Sequence, residues 1–354
     1  MNNTPSSPAH GKPLNQEDSS REVRADVVVI GGGPAGLAAA IALGRSRRHV
    51  LVVDAGEPRN APSPGAHNVL GQEGIAPGEI LRRGRAEAST HGVEFVTGVA
   101  TGARGALDDF TVEVNKGERF VHARRIIIAT GLIDDLPALP GVREGWGTSV
   151  LHCAFCHGWE VRDQRIAVIA RDEIPVHQVM LFRQLSDHVT LFLHDAPEPT
   201  EDEWQQLAAL GTRVVTPRVT RLDAEGTQLR AIEVEGGLRF DMDAAVVTPR
   251  YLARTELYRS LGGEPSITPH GVQIPTDPRG ATPLAGVFAA GNASAIMAMV
   301  TASAAAGVQI GAAVHGDLAF ADLNAAVQER LAPFSAAMEA ENCELVLGDR
   351  RHGL

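Results

Sequence analysis

Lysine is almost missing from this chain. Of 32 basic residues only Lys12 and Lys116 are lysines, and 43 acidic residues leave a net charge of −11. The shortage of lysine reads as a compositional bias, not as chemistry. The acidic balance argues against a nucleic-acid partner, because such proteins carry a basic face. Cysteine is scarce too, with three in 354 residues, which excludes a secreted fold stapled by disulfides. No apolar leader is visible. Residues 1–22 are polar and rich in Ser, Pro and Asn, the composition of a flexible tail and not of a signal peptide. No stretch has the Leu, Ile and Phe content of a membrane span. The one apolar run that invites the question, 285–314, is mostly Ala and Gly, with Asn292 and Gln309 inside it. It reads as a strand followed by a buried helix. No membrane partner is expected, and the expected compartment is the cytoplasm.

Glycine is plentiful, with 37 residues, so tight turns and close backbone approaches are expected. Residues 25–30 (ADVVVI) suit a parallel strand covered on both faces. A glycine-rich turn follows (Gly31 to Gly36), then a helix over 34–45 and a strand over 49–53 that ends at Asp54. This is one βαβ unit. Pro58, Pro62, Pro64 and Pro77 make 58–78 an irregular excursion. A helix over 80–91 and a buried strand over 124–131 complete the first pattern. A second α/β pattern begins near 137. It has strands at 165–170, 189–193 and 213–215 and helices at 176–185 and 203–210. Two alternating segments follow, at 229–234 and 238–242. After 243–247 the first pattern resumes, with a strand at 286–290 and a long helix over 294–315. The expected fold class is α/β, with two Rossmann-like three-layer domains, the first interrupted by a smaller inserted one. The expected limits are a tail 1–22, first domain 23–134, insert 135–246, first domain resumed 247–346, and a tail 347–354.

Three motifs point to a dinucleotide. Gly31-x-Gly33-x-x-Gly36 follows a strand, opens a helix, and has Asp54 eighteen residues beyond its third glycine. Such glycines let the backbone approach a pyrophosphate seated on the helix N-terminus, and the acid accepts from ribose hydroxyls. Ala129-Thr130-Gly131 and Gly286-Val-Phe-Ala-Ala-Gly291-Asn292 each end a strand. Either alone is an ordinary strand-to-turn transition. A fourth motif, His152-Cys153-Ala-Phe-Cys156-His157, places two thiols at reversible-disulfide spacing between two histidines. A helix start lowers a thiol pKa, and histidine moves protons near neutral pH. Zinc is the competing reading, but a tetrahedral site draws ligands from two separated segments, and no second C-x-x-C or H-x-x-x-H exists. An inert buried pair is the other alternative, and orientation or packing is the alternative for each histidine.

Together these motifs resemble those of the low-molecular-weight thioredoxin reductase family, over about residues 24–320. The resemblance implies FAD as cofactor. It carries cofactor contacts to Gly31, Gly33, Pro34, Ala35, Gly36, Asp54, Ala55 and Asn60. It carries further contacts to Ala129, Thr130, Gly131, Gly291 and Asn292, where the family usually has Asp in place of Asn292. His67-Asn68-Val-Leu-Gly71 stands where the family has Glu-Asn-Trp-Pro-Gly, which implies an Asn68 contact. Val99 matches a backbone contact to adenine, and Met299 and Val300 fall over the isoalloxazine edge. A homodimer is implied. More closely, residues 147–160 (GTSVLHCAFCHGWE) resemble the dithiol oxidase branch, which closes disulfides in small natural products such as gliotoxin and holomycin.

One absence separates this chain from the reductases. Their inserted domain binds NADPH through a second glycine-rich turn, and here the matching turn is Arg171-Asp-Glu-Ile-Pro-Val-His177, with no glycine. Side chains there block a pyrophosphate, and Asp172 and Glu173 repel it. The basic cluster expected after the next strand is replaced by Leu193-His-Asp-Ala-Pro. The expected activity is therefore oxidation of a small-molecule or protein dithiol. Cys153 exchanges with substrate and Cys156 passes electrons to FAD by resemblance. His152 and His157 carry protons, and oxygen is the acceptor, giving hydrogen peroxide. A reductase fed by NADPH at an atypical site or by a ferredoxin or second flavoprotein, and a flavin redox sensor without turnover, are the other readings.

Overall fold

The computed structural model describes residues 22–331 and 336–347. The β-branched run becomes β1 (Glu22–Ile30), with Val27, Val28 and Val29 wholly buried. It starts earlier than expected, because Glu22 and Val23 pair with Phe120 and Val121. Glu22 therefore belongs to the sheet and not to the tail. The glycine turn leads into α1 (Pro34–Arg45), then β2 (Val50–Asp54), α2 (Pro77–Thr90) and β3 (Glu94–Thr97). A meander of β4 (Ala100–Ala106), β5 (Asp109–Val114) and β6 (Arg119–Ile128) follows. β4 is exposed and glycine-bearing, β5 is a short, mostly buried strand, and the sequence reading passed over both. The sheet order is β3-β2-β1-β6-β5-β4.

The chain leaves this sheet along β7 (Leu132–Asp135). It then forms α3 (Val142–Gly145), β8 (Val150–Leu151), α4 (Ala154–His157), β9 (Ile166–Ile169), α5 (Val176–Arg183) and β10 (Val189–Phe192). Next come α6 (Glu201–Ala209), β11 (Arg213–Val215), the antiparallel β12 (Val219–Glu225), β13 (Gln228–Val234) and β14 (Arg239–Asp241), and then β15 (Ala244–Val247). A parallel sheet of order β11-β10-β9-β15-β8 results. The chain returns along β16 (Arg250–Ala253), antiparallel to β7, with Arg250 opposite Asp135. Val247 pairs with Ile169. The divisions expected at 134/135 and 246/247 thus each cut one residue from a paired strand.

The return continues through α7 (Glu256–Ser260), β17 (Ser266–Thr268), β18 (Gly271–Gln273) and β19 (Val287–Ala289), which pairs with β6. It ends in α8 (Val300–Leu331) and α9 (Ala336–Leu347). Leu347 is helical, so the expected C-terminal tail begins one residue too early. Residues 1–21 and 348–354 of the expected tails lie outside the described residues. The long helix begins at Val300 and not at 294. The Asn292 amide donates to the carbonyls of Ala295, Ile296 and Ala298, which holds that segment as a loop. Among the described residues no helix is long and apolar enough to cross a membrane.

The small residues of α8 let it lie against α1. A Cβ on Gly307 would stand 2.2 Å from the Ala35 carbonyl oxygen, and one on Gly311 2.8 Å from that of Ala39. Gly→Ala inside a helix ordinarily stabilises by up to ~1 kcal/mol. Gly307→Ala should instead destabilise by about 1–3 kcal/mol through overpacking, seen as a lower Tm. A raised Tm contradicts this packing.

Candidate active site

Strand register brings the three glycine turns together. Ile30 lies beside Ile128, and Ile128 beside Ala289, so β1, β6 and β19 end in line. Gly31, Ala129 and Gly291 follow these ends at the rim of one cavity of about 1000 Å³. Gly31 has φ +106°, and a Cβ there would stand 2.3 Å from the Ala129 carbonyl oxygen. Gly36 lies against Gly31 in the same way, at 1.9 Å from its carbonyl oxygen. Gly33 differs: it lines the cavity, and a Cβ on it would meet no protein atom within 4 Å. Asp54 accepts from the Gly32 N–H at 3.0 Å and from Arg85 at 2.9 Å. Each of its oxygens keeps a lone pair toward the cavity it lines.

Most of the predicted residues meet here. Pro34, Ala35, Asn60, Thr130 and Gly131 line the cavity, and so do Asn292, Met299 and Val300. Gly36 and Ala55 do not. Val99 does not line it either, and both of its backbone groups are paired with Asn115. Asn68 does not line it, and its amide donates to the Phe155 carbonyl at 2.7 Å.

The same cavity holds the two thiols. Cys153 is the N-cap of the one-turn helix α4. The cysteines are unbonded, and the Cys156 thiol donates to Cys153 Sγ at 2.7 Å. That hydrogen bond pulls the Cys153 pKa down to about 7, helped by the backbone N–H groups of Cys156 and Phe155 and by the Arg59 charge. The same contact, with burial, pushes the Cys156 thiol far up. The pair is asymmetric, with one ready thiolate and one retained proton.

Sequence reasoning missed Arg59. It holds Asp134 through two bonds of 2.8 and 2.6 Å, reaches Asn292 Oδ1 at 3.3 Å, and lies 5.4 Å from the Tyr251 ring centre. Tyr251 packs edge-on to His152, which lies against Trp146. Burial and the Arg59 charge push the His152 pKa down to about 4, so its ring is neutral and weakly basic near pH 7. His157 is held differently. The Ser63 hydroxyl donates to the Gly65 carbonyl at 2.6 Å and so accepts from His157 Nε2–H at 2.6 Å. That leaves His157 Nδ1 as the basic nitrogen, with its pKa lowered by burial and by His67. Among the described residues no cluster of three or more His, Cys, Asp or Glu side chains is placed to hold a metal.

The pyridine nucleotide-disulphide oxidoreductase family matches residues 25–307. This chain belongs to that family. It is 30% identical over 333 residues to the thioredoxin reductase sirT of Leptosphaeria maculans, covering 85% of this chain and 96% of sirT. It is 40% identical to HlmI, whose solved structure superposes with TM-score 0.80 over 86% of this chain and 95% of HlmI. An oxidoreductase from Agrobacterium tumefaciens is 34% identical, with TM-score 0.79 over 84% and 99% of the two chains. The protein is a thioredoxin reductase-like oxidoreductase acting on thiol and disulfide groups, in a family of flavoproteins.

For this family member, alkylation of the reduced pair should report the asymmetry. In a Cys343→Ser background, the iodoacetamide rate at Cys153 should rise through a midpoint near pH 7, as the thiolate forms. Cys156→Ala removes the donated hydrogen bond and should move the midpoint up toward ~8.5, the value of a free thiol. An unmoved midpoint contradicts the assignment. Arg59→Met strands Asp134, whose side chain is 8% exposed. It should cost about 3–5 kcal/mol in urea unfolding, and full stability would mean that Asp134 finds another partner.

Proposed function

We propose that this protein oxidises a dithiol to a disulfide through Cys153 and Cys156, with FAD as resident cofactor and oxygen as final acceptor, and without NADPH. The arrangement that carries this reading is the shared cavity. It opens both on the three glycine turns and on the thiol pair, and its far wall is the glycine-free turn after β9.

The residues present fit FAD. Gly33 leaves room for a pyrophosphate at the start of α1, and Asp54 faces the cavity at the end of β2. Arg254 also lines the cavity, where its buried Nε–H has no partner, so a cofactor acceptor would satisfy a donor left costly otherwise. Bound there, FAD would supply the two-electron redox chemistry that links the thiol pair to oxygen, with peroxide as the product.

The protein's own steps follow thiol–disulfide exchange. With Cys153 and Cys156 joined, a substrate thiolate attacks Cys153 Sγ, and Cys156 leaves with the bonding pair. The second substrate thiolate then attacks the substrate sulfur of the mixed disulfide, and Cys153 leaves. A Cys153 pKa of about 7 makes it a good leaving group. Cys156, with its raised pKa, takes up a proton. His157 Nδ1 is the proton acceptor for the incoming thiols, because Ser63 fixes the ring in that tautomer.

A second reading, disulfide reduction, draws on the name thioredoxin reductase carried by several relatives. Oxygen uptake separates the two. With dithiothreitol and no NADPH, the enzyme should consume oxygen and release equimolar peroxide, and Cys153→Ser or Cys156→Ser should abolish both. Turnover only with NADPH and a protein disulfide moves the protein to the reductases. Turnover with neither leaves a redox sensor.

A further inference from the structure

The turn after β9 is built rather than vacant. Glu173, Ile174 and Pro175 line the cavity that holds the two cysteines, and so do His177, Gln178 and Leu181 from α5. Ile174 is buried. Both ends of the turn are anchored. Arg171 donates to the Asp135 carbonyl at 3.2 Å, and Arg250 reaches Asp172 at 2.8 Å, so the turn is tied to the two crossing strands β7 and β16. On the other side Gln178 accepts from Thr248 at 3.1 Å and donates to the His152 carbonyl at 3.0 Å. His152 immediately precedes Cys153. The wall therefore keeps its place relative to the thiol that meets substrate.

Its chemistry is two-sided. Ile174, Pro175 and Leu181 offer apolar surface, while Glu173 is exposed and has no ion-pair partner among the described residues. Other charges on the cavity are paired locally, Arg59 with Asp134, Arg85 with Asp54 and Arg82 with Glu79. Arg254 donates its backbone N–H to the Gly131 carbonyl, and Glu57 lines the cavity too.

We infer that this turn is a substrate wall that selects small dithiols carrying an amine: the aliphatic side chains take the body of the dithiol, and Glu173 takes its ammonium. This rests on the dithiol-substrate reading above. It makes the residues that replace a nucleotide-binding turn into specificity determinants of the thiol site. Gln178 is a positioning residue through its bond to the His152 carbonyl.

The test compares kcat/KM by oxygen uptake for neutral dithiothreitol, 2-amino-1,4-butanedithiol and the carboxylate dihydrolipoate. Glu173→Gln should lower the amine-to-neutral ratio ~3-fold, the scale of one exposed charge pair. Glu173→Lys should lower it further and raise the ratio for dihydrolipoate. Unchanged ratios in both variants overturn the inference. A parallel calorimetric titration uses the bis-S-methyl derivative of the amine, which has no reactive thiol. Weaker binding to Glu173→Lys than to the native protein supports the wall even if no dithiol is turned over, a result that would sink the oxidase reading alone. Equal Kd values overturn the wall.

Discussion

The bidentate contact between Arg59 and Asp134 is where the separate parts of this site reach one another. Arg59 comes from the irregular excursion after β2, and Asp134 from β7, by which the chain leaves the first sheet. The guanidinium also reaches Asn292 beside the third glycine turn and faces Tyr251 on the returning strand β16. One cation thus touches the outgoing strand, the returning strand and the cofactor side of the cavity, and its field falls on both cysteines and on His152. A buried ion pair of this kind contributes little net stability, because desolvation offsets the attraction. Its effect lies in specificity: it fixes a charge near the sulfurs that water would otherwise screen.

The redox asymmetry has a nearer source, the hydrogen bond between the two thiols. Two identical thiols in four residues acquire opposite tendencies because one donates to the other, while the Arg59 charge favours the thiolate of both. Cys153 becomes a good leaving group, and Cys156 keeps its proton until something removes it. The histidines divide as well. His152 is packed between Trp146 and Tyr251, where burial favours its neutral form. His157, tied to Ser63, keeps one nitrogen free for a proton. The excursion carrying Ser63, His67 and Asn68 also bonds the thiol-bearing turn directly, through Ser63 to His157 and Asn68 to Phe155.

Much of this was legible in the sequence where local pattern carries the information. The glycine spacing, the strand ends and the C-x-x-C pair are short-range signals, and parallel register alone brings the three turns to one rim. The glycine-free turn was equally readable as a missing site. What it became was not, because lining a cavity depends on the packing of α5 against α4. Arg59 was hidden for a related reason: its partners lie 75 and 233 residues away, and an arginine in a proline-rich loop has no periodicity to betray it. Asn292 was recognised as a departure from an expected acid. Its use of the amide to hold the 295–298 loop depends on backbone geometry that spacing does not encode. Asn68 and Val99 were placed by resemblance; here the Asn68 amide donates to the Phe155 carbonyl and the Val99 N–H to Asn115.

The central claim is that electrons enter from a substrate dithiol and not from a nicotinamide. It is tested most directly by following the visible absorbance of the bound flavin without oxygen, adding NADPH first and then one equivalent of dithiothreitol. The account predicts no change with NADPH, bleaching with the dithiol, and return of colour on admitting air. Rapid bleaching by NADPH would contradict it, because it would require a working nucleotide site where Glu173 and Ile174 now stand.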